Sequence, residues 1–349
     1  MIWQMNPVSQ RRWQRFKDIK RGSYSALLLL ILMLVGLGAE LIASNRAIVV
    51  HYEDQWYFPT YGDVIPGRTF GQDQDWETDY KALAKRFEAN DSGNWLIMPP
   101  VPFGPMEVDL NRSDFPPHAP SLSDGHWLGT DTTGRDVFAR LLYGFRTAML
   151  FSLLLLGLSY GIGVAIGCLM GYLGGAFDLI FQRVIEIWSN VPFLYVIMIV
   201  ASILPPGFWT LVLIMVFFGW TGITWYMRTA TYKEAARDYV MAARAQGASG
   251  TRIVFRHILP NSVSTLITFV PFSVAGGITS LTALDYLGFG LPPPTPSWGE
   301  LLKQGTDNLE SFWIVGSVVA AMTLVLMLVA FIGEAIREAY DPRQYSYYE

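Results

Sequence analysis

Six long apolar stretches, at 24–43, 147–173, 177–204, 208–227, 263–284 and 312–333, constrain this chain more than any other feature. About 20 such residues are what a helix needs to cross the hydrocarbon core of a bilayer. Six runs of this length make the expected fold an all-α polytopic membrane protein with six transmembrane helices. The composition agrees, with 52% hydrophobic and 15% charged residues.

Charge placement orients the spans. Arg11, Arg12, Arg15, Lys17, Lys20 and Arg21 precede the first run and only Asp18 opposes them, so residues 1–23 are expected in the cytoplasm. The run at 24–43 is too long for a signal-peptide core and lacks an Ala-x-Ala cleavage site, which favours a retained anchor. Between 44 and 130 the chain is soluble in character, with 13 acids against 6 bases. That balance argues against a nucleic-acid partner. Its many aromatics, among them Trp56, Phe70, Trp76, Tyr80, Phe87 and Trp95, are too numerous for a disordered linker and predict a small folded cap outside the membrane. Within it, Asp79 is placed to cap a helix bearing Tyr80, Leu83 and Phe87 on one face, while Pro99, Pro100, Pro102 and Pro105 punctuate an irregular remainder. Cys168 is the only cysteine, so no intrachain disulfide supports the cap.

A turn-rich segment at 131–146 leads into the second run, and its Asp131, Arg135 and Asp136 are read as ion pairs stapling a surface turn. In that run Gly163, Gly167 and Gly171 line one helix face, where small residues let backbones approach closely in lipid. Gly157-Leu-Ser-Tyr-Gly161 matches a hydrolase elbow by accident, since it lies inside a continuous apolar helix. The third run carries Asp178, Arg183 and Glu186 and is expected to kink at Pro192. Pro205-Pro206-Gly207 makes an outer turn, and the fifth run is expected to break at Pro271 and at Gly276-Gly277. After Asp285 comes Leu291-Pro-Pro-Pro-Thr-Pro-Ser-Trp-Gly299, with Trp298 suited to the membrane interface. A short tail at 339–349 with Arg343 closes the chain on the cytoplasmic side.

The one long polar loop between runs, 228–262, carries the functional reading. Ala230 to Ala245 is rich in good helix formers, Gly247 sits where a left-handed C-cap would stop that helix, and a second short helix is expected from Ser249 to His257. Pro260 suits the first turn of the helix after it. This pattern resembles the cytoplasmic coupling loop of ABC-importer permeases, whose motif is Glu-Ala-Ala, three residues, Gly, nine residues, Ile-x-Leu-Pro. In that register Met241, Ala242 and Ala243 fall on the Glu-Ala-Ala positions and Glu234-Ala235-Ala236 is a decoy. His257, Ile258, Leu259 and Pro260 fall on the final four. Met241 and His257 depart from the pattern, so an acidic contact from Met241 does not carry over. The His126 to Arg146 segment and the Pro-rich 291–299 link are similar to the peptide-transport branch in the same order. Its subunit for importing microcin C and peptides is the nearest likeness, given the long insertion.

The resemblance implies a type I importer permease with residues 44–130 in the periplasm and a transmembrane domain at 147–338. It implies a second, related permease, two cytoplasmic ATPase subunits and a periplasmic peptide-binding protein as partners. Met241, Ala242, Ala243, Gly247, Ala248, Ser249, Ile258, Leu259 and Pro260 are the implied ATPase-coupling residues. The chain has no Gly-x4-Gly-Lys-Ser/Thr loop, and none of its four histidines has a partner at His-Glu-x-x-His spacing. No catalytic role and no cofactor of its own are expected; ATP and Mg would belong to the partner ATPases. A nickel-type substrate, or a membrane-anchored protein with a binding cap, are the alternatives. An anchored enzyme would need catalytic groups clustered in the cap, and a channel would need rings of like residues from repeated subunits.

Overall fold

The computed structural model describes residues 7–89, 93–109, 114–205 and 207–340. An amphipathic helix, α1 (Pro7–Asp18), is followed after Ile19 by the first long apolar helix, α2 (Lys20–Leu37). The Ser23 hydroxyl lies 2.9 Å from the carbonyl oxygens of Phe16 and Lys17, so leftover carbonyls at the end of α1 meet a donor in α2. The helix closes at Gly38, short of the expected 43, and a 3-10 turn over Ala39–Leu41 replaces its last part.

A small folded unit follows. Strands β1 (Val49–Tyr52), β2 (Gln55–Tyr57) and β3 (Trp95–Ile97) form an antiparallel sheet in the order β2-β1-β3. Helix α3 (Tyr80–Ala89) packs Tyr80, Leu83 and Phe87 with Val50, Phe70 and Tyr52. Asp79 caps it, its carboxylate accepting the N–H groups of Lys81 and Ala82 at 3.0 Å. The sheet has no forerunner in the sequence reading, because strands of three or four residues are too short to show alternation.

The membrane-type helices are longer and more broken than the apolar runs. α4 spans Val137–Leu173, beginning at Val137 rather than 147, with Asp136 as N-cap. The third run is not one helix: α5 (Gly175–Ser189) and α6 (Phe193–Ile203) are bent by 75°. Pro192 lacks an N–H and forces its predecessor out of the helical region, which fixes where the bend falls. α7 runs from Phe208 to Ala235, well into the polar loop. The loop continues as α8 (Asp238–Ala245) and α9 (Gly250–Ile253), then a π-helical turn over Val254–Ile258 that leads into α10 (Leu259–Tyr286). The break expected in the fifth run is absent: Pro271 and Gly276-Gly277 stay helical in α10. At Gly277 the missing side chain has another use, since a Cβ there would sit 2.8 Å from Cβ of Ser152 on α4. Two further helices complete the chain, α11 (Trp298–Asp307) and α12 (Phe312–Tyr340).

Among the described residues five helices are long and apolar enough to span, and the bent pair makes a sixth if it counts as one. Pro206 and the expected tail from 341, with Arg343, lie outside the described residues. The glycine stripe brings α4 against α7: a Cβ at Gly163, Gly167 or Gly171 would lie 2.6 Å from the backbone oxygen of Trp220, Thr224 or Arg228. Trp298 belongs to the buried core and not to an exposed aromatic belt. It is 3% exposed, packs against Phe145, and donates its indole N–H to the Leu141 carbonyl at 3.0 Å.

Candidate functional site

The polar loop is built from its breaks. After Ala235 the chain turns through Arg237, whose extended backbone starts α8, so the single helix expected over 230–245 is two. Glu234 holds this corner: it accepts the Tyr239 hydroxyl at 2.7 Å and pairs with Arg237 at 3.8 Å. Burial and then the Glu234 carboxylate hold the Tyr239 phenol above its ordinary pKa. At the other end of α8, Gly247 has φ +76°, the left-handed conformation that glycine adopts without strain. The Ala248 N–H reaches the Ala243 carbonyl at 3.1 Å and the Gly247 N–H reaches the Arg244 carbonyl at 2.9 Å. These two bonds make a Schellman cap, and Ala243 and Ala248 supply its apolar contact. Ser249 then caps α9, accepting the Arg252 N–H at 3.4 Å.

The elbow is docked. Val240, Ala243, Ile253 and Ile258 are buried together, with Tyr172, Ala235 and Ala248 against them. Tyr172 ends α4; the Arg244 guanidinium lies 4.9 Å over its ring, and a Cβ at Gly250 would stand 3.0 Å from it. The nine sequence-derived residues therefore divide. Ala243, Ala248 and Ile258 belong to the apolar cluster. Met241, at 53% exposure, and Ala242, Gly247 and Ser249 face outward, while Leu259 is half-buried and Pro260 exposed on the first turn of α10. Above the loop, Arg228 grips Asp178 through two bonds of 2.6 Å, joining α7 to α5. Val240 and Tyr172 were not singled out in the sequence, although Val240 lies at an apolar position of the first short helix, while Ile253 and Ile258 recur at helical spacing in the second.

The segment read as a stapled surface turn is buried instead. Asp131 and Asp136 are 0% exposed and Arg140 is 0% exposed. Arg135 meets Asp131 at 2.7 Å and Glu300 at 2.8 Å. Arg140 pairs with Glu300, lies 3.5 Å from Asp131, and donates to the carbonyls of Pro105 and Pro294 at 2.9 and 3.2 Å. Burial works to lower the Arg135 guanidinium, but Asp131 and Glu300 more than offset it, so its pKa rises. His126 stands between Asp136 at 2.7 Å and Asp109 at 3.2 Å, stacked on Phe103. The sequence reading passed over two features here: Arg140 within an apolar helix, and Ser297-x-x-Glu300, a capping pattern whose Ser297 hydroxyl accepts the Gly299 N–H at 3.1 Å. Among the described residues no group of His, Cys, Asp or Glu is arranged to hold a metal ion.

Comparison with known proteins matches residues 163–345 to the family described as binding-protein-dependent transport system inner membrane component. The chain is 41% identical over 361 residues to the peptidoglycan transport system permease protein YejE of Agrobacterium fabrum, covering 97% of this chain and 94% of that one. It is 40% identical to the inner membrane ABC transporter permease protein YejE of Escherichia coli, covering 97% and 98%. With the oligopeptide transport system permease protein OppC of Lactococcus lactis subsp. lactis it shares 35% identity, over 68% of this chain and 81% of that protein.

Proposed function

We propose a coupling role for the docked loop from one premise: this chain belongs to the family of binding-protein-dependent transport system inner membrane components. It is a transport component, not an enzyme. In our reading it is a type I permease of six spans, with α5 and α6 forming the bent third. It makes half of a pathway for peptides, including peptide conjugates such as microcin C, beside a second, related permease. Relatives named for peptidoglycan and oligopeptide transport support that substrate class. A periplasmic peptide-binding protein delivers the cargo, two cytoplasmic ATPases drive its import, and both termini of this chain lie in the cytoplasm. Residues 44–130 then lie in the periplasm.

The observation that carries the reading is the two-faced elbow around Gly247. One side, Val240, Ala243, Ile253 and Ile258, fastens it to the ends of α4, α7 and α10. The other side presents Met241, Ala242, Gly247 and Ser249. A force applied to the exposed side reaches the spans through packed contacts, so closure of the ATPases moves the elbow as a lever and rocks the spans between outward and inward access. Met241 makes an apolar contact with the ATPase where other family members place an acid. Photocross-linking tests this in the assembled importer. A photoreactive residue at Met241, Ala242 or Gln246 is expected to give adducts with the ATPase, and one at buried Val240 is not. An ATPase that co-purifies yet cross-links at none of the three exposed positions contradicts the reading.

A further inference from the structure

Helix α1 carries charge that transport through the spans leaves unused. Between residues 7 and 21, Arg11, Arg12, Arg15, Lys17, Lys20 and Arg21 face a single acid, Asp18. Two of these bases contact the end of α12. Arg21 reaches Glu334 and Glu338 on α12 at 3.5 and 3.6 Å, and the Arg12 guanidinium lies 4.6 Å from the centre of the Tyr340 ring. Arg11, Lys17 and Lys20 are exposed. A groove of about 220 Å³ opens between α1, α10 and α12, its walls formed by Trp13, Phe16, Ile267 and Ile336 and its rim by Ser9, Arg12 and Tyr340, and the Lys17 ammonium lies 5.3 Å over the Trp13 ring. Trp13 remains 52% exposed beside it and stacks on Phe16 at 5.8 Å.

We propose that this groove binds an anionic phospholipid of the cytoplasmic leaflet, its acyl chain between Phe16, Ile267 and Ile336 and its headgroup at Arg12 and Lys17. The chemistry is that of one ligand with two ends, since apolar walls beside two bases match a lipid tail under a phosphate. Free phosphate has no use for the walls, and a zwitterionic lipid offers no net charge to the bases. Orientation by positive charge requires only bases near the span, at any angle. Here Ser23 ties off the end of α1 and the Arg12–Tyr340 contact fixes its side, so Arg12 is held at the rim of the groove and Lys17 over its Trp13 wall. The inference rests on the cytoplasmic N terminus proposed above; it does not depend on the substrate.

Native mass spectrometry of the full importer released from mild detergent tests it, with phosphatidylglycerol and phosphatidylcholine as probes. Retention of phosphatidylglycerol on this subunit is expected to exceed that of phosphatidylcholine at least tenfold and to fall as salt rises. Each base removed in Arg12→Gln and Lys17→Gln is expected to weaken retention about fivefold. Ile336→Phe, which fills the groove without touching charge, is expected to lose the lipid while keeping abundance and assembly. Equal retention of both lipids overturns the proposal, as does unchanged retention in Ile336→Phe. No lipid on the assembled importer also overturns it. A reporter active only outside the cytoplasm, fused after Gly250, separates the two failures: activity there refutes the orientation, whereas silence with no lipid bound refutes the site alone.

Discussion

The two ends of α4 are held by opposite chemistry. At its start, Asp136 caps the helix and Asp131, Arg135, Arg140 and Glu300 form a buried ionic cluster tying the folded insertion to α11. At its finish, Tyr172 meets the elbow through a cluster of small apolar side chains and one cation over a ring. Buried ion pairs tolerate little displacement, because a charge that loses its partner in a low-dielectric setting pays its full desolvation cost. Apolar contacts slide with a smaller penalty. In the account proposed above, one helix is therefore a fixed post at the insertion end and a bearing at the loop end.

Removing the post should have the largest effect. Arg140→Ala leaves Glu300 and Asp131 short of a cation and is expected to cost about 3–5 kcal/mol, read as lost abundance and a lowered thermal midpoint in detergent. An unchanged midpoint would remove the distinction between the ends. Next comes the seam joining post to lever. Gly167→Val drives a side chain toward the Thr224 carbonyl at 2.6 Å and the Arg228 nitrogen at 3.0 Å, backbone atoms that cannot swing away. About 1–3 kcal/mol is expected, with spans still inserted and import lost. Smaller again is a cut at the bearing: Ile253→Val, in the cluster beneath the elbow, is expected to cost about 0.5–1.5 kcal/mol and to lower substrate-stimulated ATP hydrolysis more than basal hydrolysis. Met241→Leu should be nearly silent in both stability and uptake, since a half-exposed methionine exchanges one flexible apolar side chain for another of like volume. Met241→Lys should keep stability yet weaken co-purification of the ATPase; normal assembly and uptake in that variant would take Met241 out of the contact.

What the sequence disclosed follows the same division. The bearing was legible because its determinants are local. Gly247 announces a left-handed cap, Ser249 a helix start, and Pro260 a first turn, each within a few residues of its partner. The glycine stripe was legible for the same reason, a period along one helix. The post was not. Glu300 stands more than 150 positions from Arg135 and Arg140, and nothing near Asp131 tells that its charge is buried. Trp298 misled through a sound preference, since tryptophan does favour membrane interfaces, but the Leu141 carbonyl and the bare flank of Gly144 gave it a better place inside. The corner at Ala236 and Arg237 escaped because alanine-rich sequence reads as helix throughout, while the break is made by Glu234 binding across it.

Whether the Gly247 elbow transmits ATP hydrolysis to the spans is decided in the whole importer reconstituted in vesicles, with hydrolysis and uptake measured together. Gly247→Leu places a branched side chain at φ +76° with open space around it, so the strain is confined to the cap. Insertion, abundance and basal hydrolysis near those of the natural chain, with substrate stimulation and uptake both lost, is the predicted result. Uptake at the natural rate would contradict it.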